Sequence, residues 1–249
     1  MTKRIAVIGG GWAGLAAAVE ATGAGHAVTV FEMAPQLGGR ARTVRIDGLA
    51  LDNGQHIMIG AYRETLRLMA TLGVKAGDVF LRTPLRISAP DGSGLHLPAG
   101  APIIAFARGV LAHRRWPLAA KLALLRAAAG WAIARFRCDP RLTVAALTSG
   151  LPDVLRADLI DPLCVAALNT PAVEASAPVF LRVLKDALFS GPGSADLLLP
   201  RVDLGALLPA PAAAWLGARG ATVRLSHRVG TLHRHERGSR VHRASLDPV

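Results

Sequence analysis

The stretch RIAVIGGGWAGLAAAVEA at residues 4–21 decides the fold class of this chain. Residues 4–9 form a short β-branched apolar run that ends in glycine, which is typical of a buried parallel strand. Residues 14–24 are rich in alanine and favour a helix. Residues 27–32, AVTVFE, indicate a second buried strand. The order of strand, glycine turn, helix and strand therefore predicts a βαβ unit in the first 32 residues.

The turn of this unit carries a dinucleotide-binding fingerprint. Gly9, Gly11 and Gly14 satisfy the spacing GxGxxG between the strand and the helix. Gly9 permits the tight turn, Gly11 lets the backbone approach a pyrophosphate, and Gly14 lets the helix pack closely on the strand. Glu32 lies 18 residues after Gly14, near the position of an acid that bonds a ribose hydroxyl. Because a carboxylate there would repel a 2′-phosphate, the pattern predicts FAD or NAD rather than NADP.

Two further motifs follow the second strand. In LGGRART, residues 37–43, the glycine pair can wrap a loop over a diphosphate and the following arginine can add a guanidinium to it. Arg40 directly follows the glycine pair and is a candidate diphosphate ligand, whereas Arg42 fits that role and a plain surface position equally well. The second motif is LDNGQH, residues 51–56.

Together these motifs resemble a known superfamily. GGGWAGLAAA, GHAVTVFE, LGGRART and LDNGQH are similar to the flavin-containing amine oxidase and phytoene desaturase superfamily. Within it, residues 51–73 and 197–225 most resemble the squalene-associated FAD-dependent desaturases, also called hydroxysqualene dehydroxylases. The resemblance covers most of the chain and implies FAD, rather than NAD, as the cofactor.

The resemblance also implies which residues bind the cofactor. Gly9, Gly11, Ala13 and Gly14 would hold the diphosphate, and Glu32 would bind the adenosine ribose. Gly39 and Arg40 would lie along the diphosphate and the ribityl side, and Gly54 would face the flavin. The backbone of Val229 would contact the adenine. His56 would lie near the flavin and is the one candidate for a catalytic side chain. Its alternative role is a histidine that bonds only its own loop.

The rest of the chain predicts hairpins and long helices. They are hairpins at 43–52 and 85–98, helices at 60–72, 103–137 (broken at 116–117), 155–168, 179–189 and 209–219, and a strand at 221–235. We therefore expect an α/β fold, with a Rossmann-like FAD-binding domain and a largely helical substrate-domain insert. The expected boundaries are 1–84 for the FAD-binding βαβ unit and flavin loop, 85–220 for the substrate domain with its hairpin, and 221–249 for a return strand.

The composition excludes several classes of protein. With 249 residues, 51% hydrophobic and 18% charged, the chain is too apolar to be disordered and long enough for a sizeable core. Cys138 and Cys164 are the only cysteines, which excludes a disulfide scaffold and a cysteine-based zinc site. His233, His235 and His242 have no cysteine or carboxylate partners at a metal-ligand spacing, so we expect no metal site.

The net charge of +12 bears on the partners of the protein. Aromatic residues are only 4% of the chain, so no base-stacking platform accompanies the charge and we expect no nucleic acid. The basic, Ala- and Leu-rich region between Arg108 and Arg137 favours peripheral contact with the inner face of the cell membrane. Solvated helix faces are the alternative. Because neither a transmembrane helix nor a signal peptide is evident, we expect a cytoplasmic protein.

The resemblance implies an FAD-dependent oxidoreductase that acts on a squalene-type isoprenoid. Its reaction would be the reductive dehydroxylation of hydroxysqualene to squalene, in squalene and hopanoid biosynthesis. The alternatives are a carotenoid desaturase, an amine oxidase and a non-catalytic FAD-binding fragment. The absence of visible aromatic-cage residues counts against an amine substrate. The helices at 103–133 and the segment 159–168 can line an apolar channel for an isoprenoid, or form ordinary core.

Relatives in this superfamily are considerably longer than this chain. Their C-terminal part supplies further strands of the FAD domain and a second glycine-bearing segment near the flavin ring. We expect the chain to lack that part, so that a C-terminal segment or a partner chain would complete the site. On this expectation the chain alone binds FAD weakly, if at all, and does not turn over hydroxysqualene.

Overall fold

The computed structural model of the chain describes residues 1–54, 56–88, 91–234 and 241–247. Gln55 of LDNGQH, Pro90 of the second predicted hairpin turn and His235 at the end of the last predicted strand lie outside the described residues. The strands are β1 (Arg4–Ile8), β2 (Ala27–Phe31), β3 (Thr43–Ile46), β4 (Leu49–Asp52), β5 (Met58–Ile59), β6 (Phe80–Thr83), β7 (Arg86–Ser88), β8 (Gly94–His96), β9 (Leu197–Pro200), β10 (Thr222–Arg224), β11 (Arg228–Arg234) and β12 (Val241–Asp247). The helices are α1 (Trp12–Gly23), α2 (Arg63–Thr71), α3 (Ala76–Val79), α4 (Pro102–Ala112), α5 (Leu118–Ile133), α6 (Val144–Leu147), α7 (Asp153–Leu155), α8 (Asp161–Leu168), α9 (Ala177–Phe189), α10 (Leu204–Leu207) and α11 (Pro209–Gly217), with a π-helical segment at Arg156–Ile160.

The chain forms two compact units. Unit 1 comprises Met1–Ile57, Arg63–Leu81 and Leu199–Val249. Unit 2 comprises Met58–Tyr62 and Arg82–Leu198. The β-rich unit thus contains both ends of the chain, and the mostly helical unit is inserted between its parts.

Unit 1 is built on a parallel three-stranded sheet. Strand β2 lies between β1 and β10 and runs parallel to both. Val28 and Val30 of β2 are buried, as are Leu15 and Val19 of α1, which contacts both β2 and α11. Alternate residues of β2 therefore pack under helices, and the predicted βαβ unit and α/β fold class are confirmed.

Strand β1 is more exposed than the prediction of a fully buried strand. Ile8 is 49% exposed, and Ala6 is exposed as well. The strand is at the edge of its sheet, and Val7 faces α1 beside Gly14. Because side chains alternate along a strand, Ile8 then points to the face away from α1.

The segment after α11 forms two strands where we predicted one. Strand β10 adds to the sheet beside β2, and the chain then turns at Ser226, whose φ is 53°. Strand β11 pairs antiparallel with β12 in a separate hairpin. The prediction of a single strand at 221–235 was therefore wrong, because the left-handed residue interrupts it.

Unit 2 is mostly helical and has one apolar core. Its largest fully buried side chains include Leu124 of α5, Leu155 of α7, and Phe180 and Leu181 of α9. Helix α9 contacts α4, α6 and α8, so it organises the unit. The antiparallel pair β7–β8 covers part of this core through Leu95, which is 4% exposed.

A three-stranded sheet of β5, β9 and β6 is not among the elements that the sequence predicts. Strand β5 pairs antiparallel with β9, Met58 with Leu198 and Ile59 with Leu197. The sequence predicts a helix at 60–72, but that helix begins only at Arg63. A Cβ at Gly60 would lie 2.0 Å from the Gly193 carbonyl oxygen, so this residue is held against another segment instead. A two-residue strand is too short to show a period of its own.

His113 is a buried histidine at the connection between α4 and α5. It is 4% exposed and stacks on Trp116, with ring centroids 3.8 Å apart and an interplanar angle of 16°. Its Nδ1 atom is buried and has no hydrogen-bond partner among the described residues. The surroundings of His113 therefore favour the neutral imidazole over the charged imidazolium, whose second N–H would lack an acceptor in the described part of the chain.

We expect the unfolding free energy of the protein to decrease as the pH falls below about 6.5. Burial lowers the pKa of His113 below its usual 6.5, aided by Lys121, Arg115 and His96 and opposed by Asp158. Below the ordinary pKa the unfolded chain therefore binds a proton that the folded chain does not, until the lowered pKa is reached. Urea unfolding across this pH range measures the effect. His113→Phe should flatten the dependence, and an unchanged slope would contradict this assignment.

Candidate dinucleotide-binding site

The glycine turn between β1 and α1 has the geometry that its sequence predicts. Gly9 has φ of +100°, which favours glycine, and its N–H donates to the Phe31 carbonyl oxygen at 2.8 Å. A Cβ at Gly14 would lie 1.9 Å from the Gly9 carbonyl oxygen. Gly14 thus allows α1 to pack directly on the end of β1, as predicted.

Gly11 leaves open space where the helix begins. It is the N-cap of α1, with extended backbone, and a Cβ placed there would have Gly39 Cα at 3.7 Å as its nearest neighbour. No side chain caps the helix and its first turn, which includes Ala13, has no acidic residue. The first-turn N–H groups and the positive end of the helix dipole can therefore receive an anion such as a diphosphate.

The Glu32 side chain is hydrogen-bonded to the backbone of the glycine turn. Its side chain is buried, and one carboxylate oxygen accepts the Gly10 N–H at 2.6 Å. The other accepts the Ala34 N–H at 2.8 Å. Since each carboxylate oxygen has two lone pairs, both can still accept a ribose hydroxyl. Glu32 thus has a structural role, which its position in the sequence does not reveal, beside its predicted contact with the cofactor.

The LGGRART loop lies directly on the glycine turn. The Gly38 N–H donates to the Gly10 carbonyl oxygen at 2.9 Å, and Trp12 Nε1–H donates to the Ala41 carbonyl oxygen at 3.0 Å. A Cβ at Gly39, whose φ is +61°, would lie 3.1 Å from Gly11 Cα. Two glycines therefore meet where the predicted diphosphate site is, and a side chain on either would crowd it.

Two arginines of this loop are available to an anion. Arg40 is exposed and forms no ion pair within the described part of the chain. Arg42 is half-buried, and its Nε is a buried donor without a hydrogen-bond partner among the described residues. An orphaned donor of a guanidinium fits a phosphate or ribityl oxygen. The structure thus strengthens the case for Arg42, which sequence position alone left undecided.

We expect Arg42→Gln to weaken FAD binding about tenfold, the typical effect of losing one hydrogen bond to a charged group. Arg45 is an exposed arginine of β3, so Arg45→Gln is the matched control and should leave the affinity unchanged. A fluorescence titration with FAD measures both variants. Equal affinities of the two variants would show that the buried Nε has no part in binding.

The LDNGQH motif supports the loop and carries Gly54 and His56. The Arg42 N–H donates to Asn53 Oδ1 at 3.2 Å, and the Asn53 N–H donates to the Arg42 carbonyl oxygen at 3.1 Å. Gly54 has φ of +153°, a conformation suited to glycine. His56 is exposed, and its Nδ1 lies 2.9 Å from the Gly54 carbonyl oxygen. The histidine therefore bonds its own loop, and a catalytic role for it stays a prediction.

A second network joins LDNGQH to the segment after β9. Thr43 Oγ1 lies 2.9 Å from an oxygen of Asp52 and 2.9 Å from an oxygen of Asp203. The same Asp52 oxygen accepts the Leu204 N–H at 3.0 Å. The two segments that most resemble the hydroxysqualene dehydroxylases are thus hydrogen-bonded to each other.

Val229 lies just beyond the contact between β10 and Glu32. The Glu32 N–H donates to the Arg224 carbonyl oxygen at 2.8 Å, and the Glu32 carbonyl oxygen accepts the His227 N–H at 2.9 Å. Val229 follows two residues later in β11, where it pairs with Leu246. Its assignment to the adenine fits this course of the chain and stays a prediction.

The described residues contain no group of three or more His, Cys, Asp or Glu side chains that could hold a metal ion. Of the cysteines considered above, Cys164 is buried, and burial raises the pKa of its thiol.

The candidate site consists of backbone amides, one carboxylate and two arginines. This set of donors and acceptors suits a dinucleotide.

The chain is similar to curated proteins over most of its length. The sequence is 32% identical over 248 residues to a hydroxysqualene dehydroxylase of Rhodopseudomonas palustris, and 30% identical over 244 residues to one of Sinorhizobium fredii. Each alignment covers 93% of this chain and 55% of the relative, so the chain spans about half the length of the curated relatives it matches. The resemblance inferred from the motifs is confirmed.

The fold is shared with a solved structure. An oxidoreductase from Methanosarcina mazei superposes with a TM-score of 0.67 at 17% identity, over 94% of this chain and 54% of that chain. Residues 12–246 match the family described as flavin containing amine oxidoreductase. The chain therefore belongs to the flavin-containing amine oxidoreductase family, whose cofactor is FAD.

Proposed function

We propose that this chain acts in the reductive dehydroxylation of hydroxysqualene to squalene, as an FAD-dependent oxidoreductase. The observation that carries the proposal is the similarity to hydroxysqualene dehydroxylases over 93% of the chain. At 93% of the chain, that similarity extends over most of unit 1 and most of unit 2. It therefore concerns more of the chain than the dinucleotide fingerprint that all flavoproteins of this type share.

Unit 1 would be the FAD-binding domain. Gly11 and the first turn of α1 would receive the diphosphate, Arg40 and Arg42 would neutralise its charge, and Glu32 would accept a ribose hydroxyl. Bound in its reduced form, FAD would supply the hydride for the new C–H bond at the allylic carbon, and the hydroxyl would leave with a proton as water when the C–O bond breaks. The boundaries 1–84, 85–220 and 221–249 stay predictions.

Unit 2 would bind the isoprenoid. It contains a cavity of about 80 Å³ whose lining side chains are all apolar. Phe106, Leu124, Trp131 and Leu163 belong to this lining, and all four come from the segments 103–133 and 159–168. An apolar cavity without polar groups favours hydrocarbon over polar ligands, and at about 80 Å³ it would take only a small part of a squalene-type chain.

The protein would work at the cytoplasmic face of a membrane, since an isoprenoid substrate resides in lipid. Among the described residues, no helix is long and apolar enough to cross a bilayer. The contact would then be peripheral, through the basic helical region that the sequence singles out.

An anaerobic assay with chemically reduced FAD and hydroxysqualene tests the proposed reaction. Because the relatives are about twice as long, it is run on the chain alone and on the chain with the unmatched part of a curated relative added. We expect squalene, detected by mass spectrometry, to form in the supplemented reaction at least about tenfold faster than with Gly11→Ala.

The other functions are outcomes of the same assay. Oxidation of phytoene or putrescine by the oxidised flavoprotein, without squalene formation, would establish a desaturase or an amine oxidase. Bound flavin without turnover of any substrate, in both reactions, would establish a non-catalytic FAD-binding fragment. Either result would overturn the proposed reaction and leave the family membership intact.

A further inference from the structure

We propose that the connection between α4 and α5 is a docking surface for an anionic lipid bilayer. The surface, called the docking corner below, consists of the exposed side chains of Ile104, Arg108, Leu111, Arg114, Leu118 and Leu122. It combines exposed apolar side chains with two arginines, Arg108 and Arg114, that form no ion pair within the described part of the chain. The proposal names the site of the membrane contact inferred above, but it depends on neither the flavin nor the substrate.

The exposed faces of both helices are apolar at this corner. Ile104 and Leu111 lie seven residues apart on one face of α4 and are 61% and 49% exposed. Leu118 and Leu122 lie four residues apart on α5 and are 65% and 53% exposed. A helix on the surface of a soluble protein normally turns its polar face to water. Here large aliphatic side chains occupy that face, which indicates a partner with an apolar layer.

The corner is held in a defined conformation. Lys121 Nζ, in the first turn of α5, donates to the carbonyl oxygen of Leu111 in the last turn of α4 at 2.8 Å. Trp116 is 3% exposed and its Nε1–H donates to Asp158 at 3.1 Å, which anchors the connection to the core of unit 2. The exposed leucines are thus presented by a fixed scaffold, so docking would need no ordering of the backbone.

The charge around the corner favours an anionic partner. Residues 92–138 contain seven Lys and Arg and no Asp or Glu. Arg108 and Arg114 are exposed, and neither forms an ion pair within residues 91–234. A second copy of a chain with net charge +12 would be repelled, and a nucleic acid would not bury leucine side chains. A bilayer with anionic headgroups meets both the charge and the apolar faces.

The test is co-sedimentation of the full chain with vesicles, in the absence of flavin and substrate. The vesicles contain phosphatidylcholine with about one third phosphatidylglycerol, and pure phosphatidylcholine serves as the neutral comparison. We expect binding to the anionic vesicles at low salt, and a loss of at least about tenfold at high salt. Leu118→Ser with Leu122→Ser, and separately Arg108→Gln with Arg114→Gln, should each reduce the binding about tenfold or more.

Matched controls come from the same unit. Val173→Ser with Val179→Ser removes two other exposed apolar side chains, 67% and 50% exposed, and should have no effect. Arg141→Gln with Arg182→Gln lowers the net charge by the same amount away from the corner and should also leave binding unchanged. Absence of wild-type binding, or equal losses in the control and corner variants, would overturn the proposal. A wild-type dimer that the leucine variant dissociates would identify a second copy as the occupant instead.

Because the vesicle assay contains neither flavin nor substrate, its result is independent of the proposed reaction. Vesicle binding without squalene formation would keep the docking corner and overturn the reaction. Squalene formation without vesicle binding would do the reverse.

Discussion

Replacing Gly11 with alanine is expected to weaken FAD binding at least about a hundredfold, or about 3 kcal/mol, while the protein stays folded. Gly11 has φ of −72°, which alanine adopts freely, and its nearest neighbour would be Gly39 Cα at 3.7 Å. The methyl group therefore has room in the free protein. It would occupy the space in which a diphosphate approaches the first turn of α1. The FAD titration measures the loss directly.

Two other glycines of the first helix separate crowding of the cofactor from damage to the fold. Gly23→Ala places a methyl group 3.8 Å from Trp215, an ordinary contact, and should change neither FAD affinity nor stability much. Gly14→Ala places one 1.9 Å from the Gly9 carbonyl oxygen and should destabilise the whole turn. We expect the unfolding free energies of Gly11→Ala and Gly23→Ala, measured with urea, to agree within about 1 kcal/mol. That margin is the cost of replacing glycine with alanine at a helix N-cap. Undiminished FAD binding by Gly11→Ala would refute the assignment of this turn.

Replacing Glu32 with alanine is expected to lower the unfolding free energy by about 2–4 kcal/mol and to weaken FAD binding as well. The carboxylate accepts N–H groups of Gly10 and Ala34, at 2.6 and 2.8 Å, and Glu32 is only 8% exposed. Its removal leaves two backbone donors without an acceptor, one of them beside the glycine turn. Glu32→Gln retains one acceptor and presents an amide N–H to the other donor, so it should be intermediate.

An exposed glutamate of the same unit supplies the control. Glu20 pairs with Arg67 at 2.6 Å, and both side chains are more than half exposed, so Glu20→Gln should cost at most about 1 kcal/mol. Urea unfolding and FAD titration are run on all three variants. A Glu32→Ala protein of unchanged stability would contradict the structural role. A destabilised variant with wild-type FAD affinity would show that Glu32 does not contact the ribose.

The parts of the fold that the sequence predicts are those set by neighbouring residues. The βαβ unit follows from apolar runs and alanine-rich segments, and it is found as β1, α1 and β2. Gly9 and Gly14 are fixed by φ and by a close backbone approach, which only glycine satisfies, so the motif alone reveals them. The glycine turn is therefore predictable from residues that are close together in the sequence.

Contacts between distant residues were not predictable in this way. Glu32 meets Gly10 across 22 residues, and Asp52 meets Leu204 across 152. No period in the sequence encodes such pairs, because they depend on how the segments pack. The same reason explains the unexpected sheet of β5 and β9 and the undecided role of Arg42, whose buried Nε shows only in the fold.

We assign the adenosine diphosphate half of FAD to the turn of β1 and α1, together with Glu32 and the LGGRART loop. A fluorescence titration with FAD, in competition with ADP and with FMN, tests this assignment. It is run on the chain with the unmatched part of a curated relative added, because the chain by itself is expected to bind FAD only weakly. We expect FAD to bind, ADP to displace it with a similar dissociation constant, and FMN to leave it bound. Displacement by FMN but not by ADP, or no binding of FAD at all, would rule the assignment out.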